Sequence, residues 1–399
     1  MGAGHSHASS SRDGGAVTTS PVVRRYVLSF LIPLIVVTIG GLAWLWPRDS
    51  VPSLGGSEYI NGTITAVTPC EGAIPDCQVL LVDVIDGPSP GDKTEINMTT
   101  GSGTPEFTPG TAVKLSVDQS SGKTTYGYAD VKRDQPLLIL AVLFAVAVVV
   151  LSRWKGVAAL AGLAVSIFIL VAFVMPALLL GSPPLAVAAF GAAAIAIASM
   201  GLAHGFNIRT GVALVGTVLA LLLTAGLGWV FTAAASFTGV GGEEAWYLQN
   251  SLNLAIDFRG LFLAGLVIGA LGVLDDVTVT QVAAVWEVRR ANPLTPLHEL
   301  YSAGMRVGRD HVAATVNTLV LAYIGASLPL FLILIMSSGP ASQSLTNELI
   351  ASEIVRSLVG GLGIVAAVPI TTFMAAWVLT RSHDDIESSG DGHQAPVSV

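Results

Sequence analysis

The sequence predicts a mainly α, polytopic helical membrane protein: about eight transmembrane helices, with a small β-rich extracytoplasmic domain after the first span. Three observations carry this expectation. Just over half of the 399 residues are hydrophobic (52%) and only 12% are charged. Several apolar runs approach the twenty or so residues that cross roughly 30 Å of hydrocarbon. One stretch between the first two runs differs: Gly, Pro, Thr and Asp are common and no apolar run exceeds strand length. The net charge of −8 offers no electrostatic footprint for nucleic acid. The expected partner is the lipid bilayer.

Residues 1–25 are Ser-, Gly- and Thr-rich without apolar periodicity, the composition of a disordered cytoplasmic tail. His5 and His7 form an H-x-H pair, but two ligands do not close a metal site. Residues 26–46 read as an uncleaved first span. The run is too long for a signal-peptide core, and Trp44, Trp46 and Pro47 replace a small-residue cleavage site. Arg24 and Arg25 before it hold the N-terminus in the cytoplasm.

Residues 48–134 form the β-rich domain. Residues 113–118 alternate apolar and polar as a half-buried strand does, and 59–67, 78–85, 93–98 and 124–131 are further strands. About five short strands point to a small barrel or sandwich, OB-like in size. Cys70 and Cys77, the only cysteines, flank a loop containing Pro75. Outside the membrane the compartment permits a disulfide between them. A metal site is disfavoured, since no further ligands are spaced nearby.

Seven more spans follow within 135–380, at 135–151, 156–180, 185–202, 211–232, 260–287, 312–336 and 360–379. Pro176 kinks or ends the third. The loop 233–259, with Trp246 and Tyr247, holds an interfacial helix. Thr295 and Pro296 read as an N-cap and first helical residue. They open a surface-lying amphipathic helix with Leu297, Tyr301 and Met305 on its apolar face. Residues 345–358 read as a second amphipathic element, and 381–399 as a disordered, acidic cytoplasmic tail. Basic residues set the topology. Arg24, Arg25, Arg153, Lys155, Arg209, Arg289, Arg290, Arg306, Arg309 and Arg381 fall on one side, against Arg259 and Arg356 in short loops on the other. Both termini are therefore expected in the cytoplasm, with 48–134 outside.

The stretch that points to function is 260–290. It starts as an ordinary span and turns polar halfway, with Asp275 and Asp276 adjacent, then Thr278, Thr280, Gln281 and Glu287. A carboxylate near a bilayer centre costs about 2.5–3.5 kcal/mol on insertion scales, so such residues are retained to face protein, water or a ligand. On a helix, Asp276, Thr280, Ala283 and Glu287 share a face. Gly265, Gly269 and Gly272 form a smooth strip on the apolar half, suited to close helix packing. Asn317 and Thr318 near the next span's start are further polar candidates, more commonly interhelical hydrogen-bond partners than ligands.

Enzyme motifs are not found. His298-Glu299-Leu300-Tyr301-Ser302 lacks the second histidine of H-E-x-x-H, and no Walker A loop is present. Asp275 and Asp276 point about 100° apart on a helix, unlike an aspartyl dyad that shares a proton. No cofactor is implied.

The segment GALGVLDDVTVTQVAAVWEVR, Gly269 to Arg289, resembles the polar span of the bacterial YibE/F-like family. The similarity extends through Arg153-Trp154-Lys155-Gly156, Met175-Pro176-Ala177-Leu178, His298-Glu299-Leu300 and Asp310-His311, over roughly residues 57–380. It implies a polytopic membrane protein with an extracytoplasmic N-terminal domain, and no activity. Other members carry one acidic residue where this chain has two, which leaves open whether Asp275 or Asp276 matters. The buried charge itself points to a secondary transporter or ion-coupled permease. The acidic midplane site would take a proton or a hard cation, since oxygen donors suit hard ions, together with a small solute. The alternative is a non-transporting scaffold or assembly protein, a homo-oligomer among them, whose acidic residues hold helices together.

Overall fold

A computed structural model of the chain describes residues 20–51, 58–70, 76–101, 103–118, 124–251, 256–336, 343 and 345–390. The expected tails over residues 1–19 and 391–399, including His5 and His7, lie outside the described residues. The chain divides into a β unit, Pro52–Arg153, and a helical unit, Met1–Val51 with Trp154–Val399.

The β unit holds five strands: β1 (Glu58–Pro69), β2 (Cys77–Val84), β3 (Lys93–Thr99), β4 (Ala112–Asp118) and β5 (Thr125–Val131). They form one sheet in the order β3-β2-β1-β4-β5, antiparallel at every pair. Period-two alternation puts Leu80, Val82 and Val84 of β2 and Val113, Leu115 and Val117 of β4 on one buried face. Ile60, Ile64, Ile96 and Phe107 complete that core. β1 is long enough to pair β4 with its first half and β2 with its second, and its register shifts between Ile64 and Ala66. Such a bulge bends a strand. The sheet curls, and edge strands β3 and β5 approach one another. The barrel-or-sandwich expectation thus resolves to a single curled sheet.

The Cys70–Cys77 disulfide ties the end of β1 to the start of β2. Asp86 accepts hydrogen bonds of 2.5 Å from both the backbone N–H and the side-chain amide of Asn61. These bonds hold its carboxyl below the usual carboxylate range. The unit ends in helix α2 (Asp134–Ser152), which buries none of its residues. Arg153 stops it with φ +52°, a left-handed conformation costly for a residue with a Cβ.

The helical unit comprises α1 (Pro21–Leu45), α3 (Trp154–Ile169), α4 (Met175–Leu179), α5 (Pro184–His204), α6 (Ile208–Ala234), α7 (Glu243–Ser251), α8 (Phe258–Ala291), α9 (Leu297–Ala326), α10 (Leu328–Met336) and α11 (Glu348–Gly390). Between α3 and α4, Leu170–Val174 form a π-helical turn. Pro176 follows directly and cannot donate to the helix ladder; the wider turn absorbs the interruption where a kink was expected. The short α7 occupies the loop expected to hold an interfacial helix, with Trp246 and Tyr247 exposed.

α8 is the central helix, packed by α5, α6, α9 and α11. Leu274, Thr278, Gln281, Val282, Val285 and Arg289 are buried along it, the three-and-four spacing of one helix face. α6 and α11 approach closely: a Cβ on Gly216 would stand 2.6 Å from Thr371 Oγ1.

Three expectations change here, while residues 297–309 form an amphipathic helix as expected, with Leu297, Tyr301 and Met305 packed against the core. This segment is the first half of α9, a continuous helix of 30 residues. Gly304 and Gly308 press α9 against α8 and α11: a Cβ on Gly304 would lie 2.6 Å from Thr372 Cγ2 and 2.7 Å from Val285 Cγ2. The glycines remove the bulk that would otherwise hold this charged segment off the bundle. The span expected at 312–336 is instead the second half of α9 plus α10, interrupted at Ser327. Residues 348–358 of the second amphipathic element, the span after them and the start of the acidic tail form one helix, α11, running to Gly390. Thr295 also does not cap α9; Pro296 holds the N-cap position and the Thr295 hydroxyl donates to Asn292 O instead. Among the described residues, seven helices are long and apolar enough to cross a membrane; α9 is long enough but too polar to count.

Candidate functional site

The polar residues of α8 divide between two faces. Asp275, Thr278 and Gln281 turn toward neighbouring helices, and each is bonded to a different one. Asp275 Oδ2 accepts a 2.8 Å hydrogen bond from the Ser199 hydroxyl on α5. Thr278 Oγ1 lies 2.6 Å from Thr217 Oγ1 on α6, with both side chains fully buried. The Gln281 amide donates to Gly304 O on α9 and Thr372 Oγ1 on α11, both at 2.7 Å. Below them Arg289, also buried, donates to Thr295 O and closes the turn between α8 and α9.

Asp276, Thr280 and Glu287 lie on the outer face of α8. The acidic and hydroxyl residues of the stretch are therefore split between two faces, Asp275 and Thr278 on one and Asp276 and Thr280 on the other. Successive helical residues differ by about 100°, so a neighbour of an inward residue turns away. Asp276 instead stands within electrostatic reach of His204, near which Lys155 and Arg209 also lie. Asn317 is exposed on α9 and does not join the inner group.

The expected glycine strip is corrected. Gly265 and Gly272 face open space, and a Cβ on Gly269 would meet only the Tyr323 hydroxyl, at 3.1 Å. Between α8 and α9 the close approach is made instead by Gly304 and Gly308 of α9. Their G-x-x-x-G spacing is equally visible in the sequence, but it is surrounded by Arg306, Arg309 and Asp310, which mask it as a surface segment.

Asp275 differs from its inward neighbours. Thr278 and Gln281 are satisfied by protein, whereas Asp275 Oδ1 is buried and has no hydrogen-bond partner. No Lys or Arg stands within ion-pair distance of it among the described residues. Ser199 is held in place from behind, since Gly162 of α3 packs against it; a Cβ there would come to 3.3 Å from Ser199 Cα. Ser199 was not singled out in the sequence, where it is a lone hydroxyl in the small-residue run of α5. Among the described residues no group of three or more His, Cys, Asp or Glu is placed to hold a metal ion.

A second polar cluster sits toward the other end of α8. Arg356 of α11 pairs with Glu353 at 2.8 Å and lies 5.1 Å over the Phe262 ring. Both partners are mostly buried, at 29% and 18% side-chain exposure, although the sequence reads this segment as a surface amphipathic element. Phe262 and Phe237 stack edge to face there, which fills the space around the pair. Glu348, also on α11, accepts from the backbone N–H groups of Thr238 and Gly239 and from the Thr238 hydroxyl.

Long apolar helices packed around a central helix with a polar inner face have the makeup of a multi-pass membrane protein. The family is more specific. A family model described as YibE/F-like protein matches residues 140–381, and the chain belongs to that family. The match covers most of α2 and the helical unit from Trp154 to Arg381; α1 lies outside it, as do the β strands that the resemblance was expected to include. No curated protein and no solved structure matches the chain.

Proposed function

We propose that the protein is a secondary transporter or ion-coupled permease in which Asp275 takes up the coupling ion. The observation that carries this reading is the half-satisfied carboxylate: one oxygen bonded to Ser199, the other buried without a partner, and no cation beside it. A carboxylate in that setting lowers its free energy by binding a proton or a hard cation. One carboxylate and one hydroxyl oxygen suit a proton or Na⁺. Asp276, beside His204 on the outer face, lies one residue from the inner site and is the natural relay between it and solvent. The polytopic bundle sits in the cell membrane with both termini in the cytoplasm and residues 48–134 outside, by the arginine and lysine asymmetry. No enzymatic step is assigned to any residue.

The non-transporting scaffold remains the competing reading, favoured by a specific observation. Thr278–Thr217 and Gln281–Thr372 tie α8 to α6 and α11 with fully partnered hydrogen bonds, as interhelical locks do. Purified protein in proteoliposomes separates the two. A trapped pH-sensitive dye, or a Na⁺-sensitive one, reports ion entry when solutes from a cell extract are added outside. The transporter reading expects ion entry in the parent, lost in Asp275→Asn with an unchanged melting temperature. No ion movement in the parent, or equal movement in Asp275→Asn, leaves the scaffold.

A further inference from the structure

We infer that the start of α1 is a binding site for an anionic phospholipid. Two apolar grooves run along α1 on either side of a ridge formed by Arg24, Leu28 and Ile32, which line both. The deeper groove, about 230 Å³, is closed on its far side by α5 and α6 through Ile197, Met200 and Leu214. Among the described residues the shallower one, about 420 Å³, is lined by α1 and includes Arg25. Both grooves meet the same arginine at one end.

The deep groove follows α1 from Arg24 to Ile35. Eleven residues of helix rise about 16 Å. That is about half of the roughly 30 Å hydrocarbon core, the depth reached by the acyl chain of one leaflet. The lining is mostly apolar, Phe206 included; its polar members are Arg24, Asn207 and Thr210. The ridge itself is open to its surroundings: Ile32 is 56% exposed and neighbouring Phe30 66%.

The head end carries two arginines, Arg24 and Arg25. Neither Arg24 nor Arg25 has a carboxylate within ion-pair distance among the described residues. Guanidinium groups bind phosphate oxygens in a bidentate fork. Basic pockets between helices at a membrane surface take up anionic head groups. A mostly apolar channel one leaflet deep, opening under a pair of arginines, therefore matches a lipid with a phosphate head and no compensating positive charge. The inference rests on α1 lying in a bilayer, and not on transport through Asp275.

Native mass spectrometry tests it, with delipidated protein given equal amounts of phosphatidylglycerol and phosphatidylcholine. The parent should retain phosphatidylglycerol preferentially. Arg24→Gln and Arg25→Gln should each weaken that retention about fivefold, the effect of about 1 kcal/mol per basic residue near a membrane surface. Leu28→Trp fills the shared ridge and should lower retention of both lipids, with an unchanged melting temperature as evidence of folding. Equal retention of the two lipids by the parent, or undiminished retention in the double arginine variant, overturns the proposal. Displacement of phosphatidylglycerol by millimolar inorganic phosphate would make this a phosphate site and not a lipid site. A change of oligomeric mass in Leu28→Trp would make the groove a contact between copies, which also overturns it.

Discussion

The two faces of α8 are built from nearly the same materials. The inner face carries Asp275, Thr278 and Gln281; the outer carries Asp276, Thr280 and Glu287. Every inner residue is bonded to another helix, and α5, α6, α9 and α11 are all reached by those bonds. The outer stripe continues into Gly265 and Gly272, where an added Cβ would meet no described atom within 4 Å. The difference teaches that polarity in a membrane helix has no single meaning. Phase around the helix decides whether a threonine is a lock or a surface group, and whether a glycine is a contact or a gap.

Substitutions that exchange the faces should break this contrast, and glycine offers the largest effect. Gly304→Val or Gly308→Val drives a side chain into Val285, Thr372 or Gln281 and should cost about 1–3 kcal/mol or more, as overpacking does. Gly265→Val and Gly272→Val should stay within about 0.5 kcal/mol, because nothing lies within reach. Thermal unfolding in detergent compares the four variants. Equal losses in both pairs would mean that another chain covers the outer strip.

The amides and hydroxyls come next. Gln281→Leu removes two hydrogen bonds, one to Gly304 O of α9 and one to Thr372 of α11, a loss of about 1–2 kcal/mol. Thr280→Val on the outer face should leave the melting temperature nearly unchanged. A large drop for Thr280→Val would place that hydroxyl in a contact outside this chain.

The aspartates sharpen the contrast in function and not in stability. Asp275→Asn should abolish ion entry, whereas Asp276→Asn should slow it, since it removes only the charge beside His204. The flux assay in proteoliposomes ranks them. Loss in Asp276→Asn with full activity in Asp275→Asn would reverse the roles of the two faces.

The smallest effect is expected at Asp86 of the β unit, a carboxylate with both oxygens satisfied and so the counterpart of Asp275. Its folded pKa is depressed, so its stabilisation is present above the ordinary carboxylate value of about 4 and is lost as pH falls through the lower folded value. Acid unfolding followed by near-ultraviolet circular dichroism should show a shallower acid limb in Asp86→Asn than in the parent. Superimposable acid limbs would remove Asp86 from the account.

Much of the architecture was legible from local pattern. All five strands are where period-two alternation and turn residues put them, with β3 starting at Lys93 and β4 ending at Asp118 as read. The pairing of Cys70 with Cys77 follows from there being no other cysteine to choose. Span positions were legible wherever a helix is apolar throughout, as in α5 and α6. Reading failed at the extent of a helix whose two halves differ in polarity. α9 exposes Arg306, Arg309 and Asp310 on one side and buries Gly304 and Gly308 on the other, and its charge pattern alone hides its continuation into the apolar run that follows.

The sequence by itself determined the class of molecule, its strands, most of its long helices and the residue types of the acidic stretch, because hydrophobic runs and alternation are properties of a single segment. Only the tertiary structure decided that Asp275 faces Ser199 while Asp276 faces outward, that Arg356 and Glu353 are tucked against Phe262, and that Gly304 and Gly308, not Gly265 and Gly272, admit a neighbour. Those outcomes depend on the rotation of each helix about its own axis. That rotation is set by the summed packing of four neighbouring helices on α8, and no segment read alone contains it.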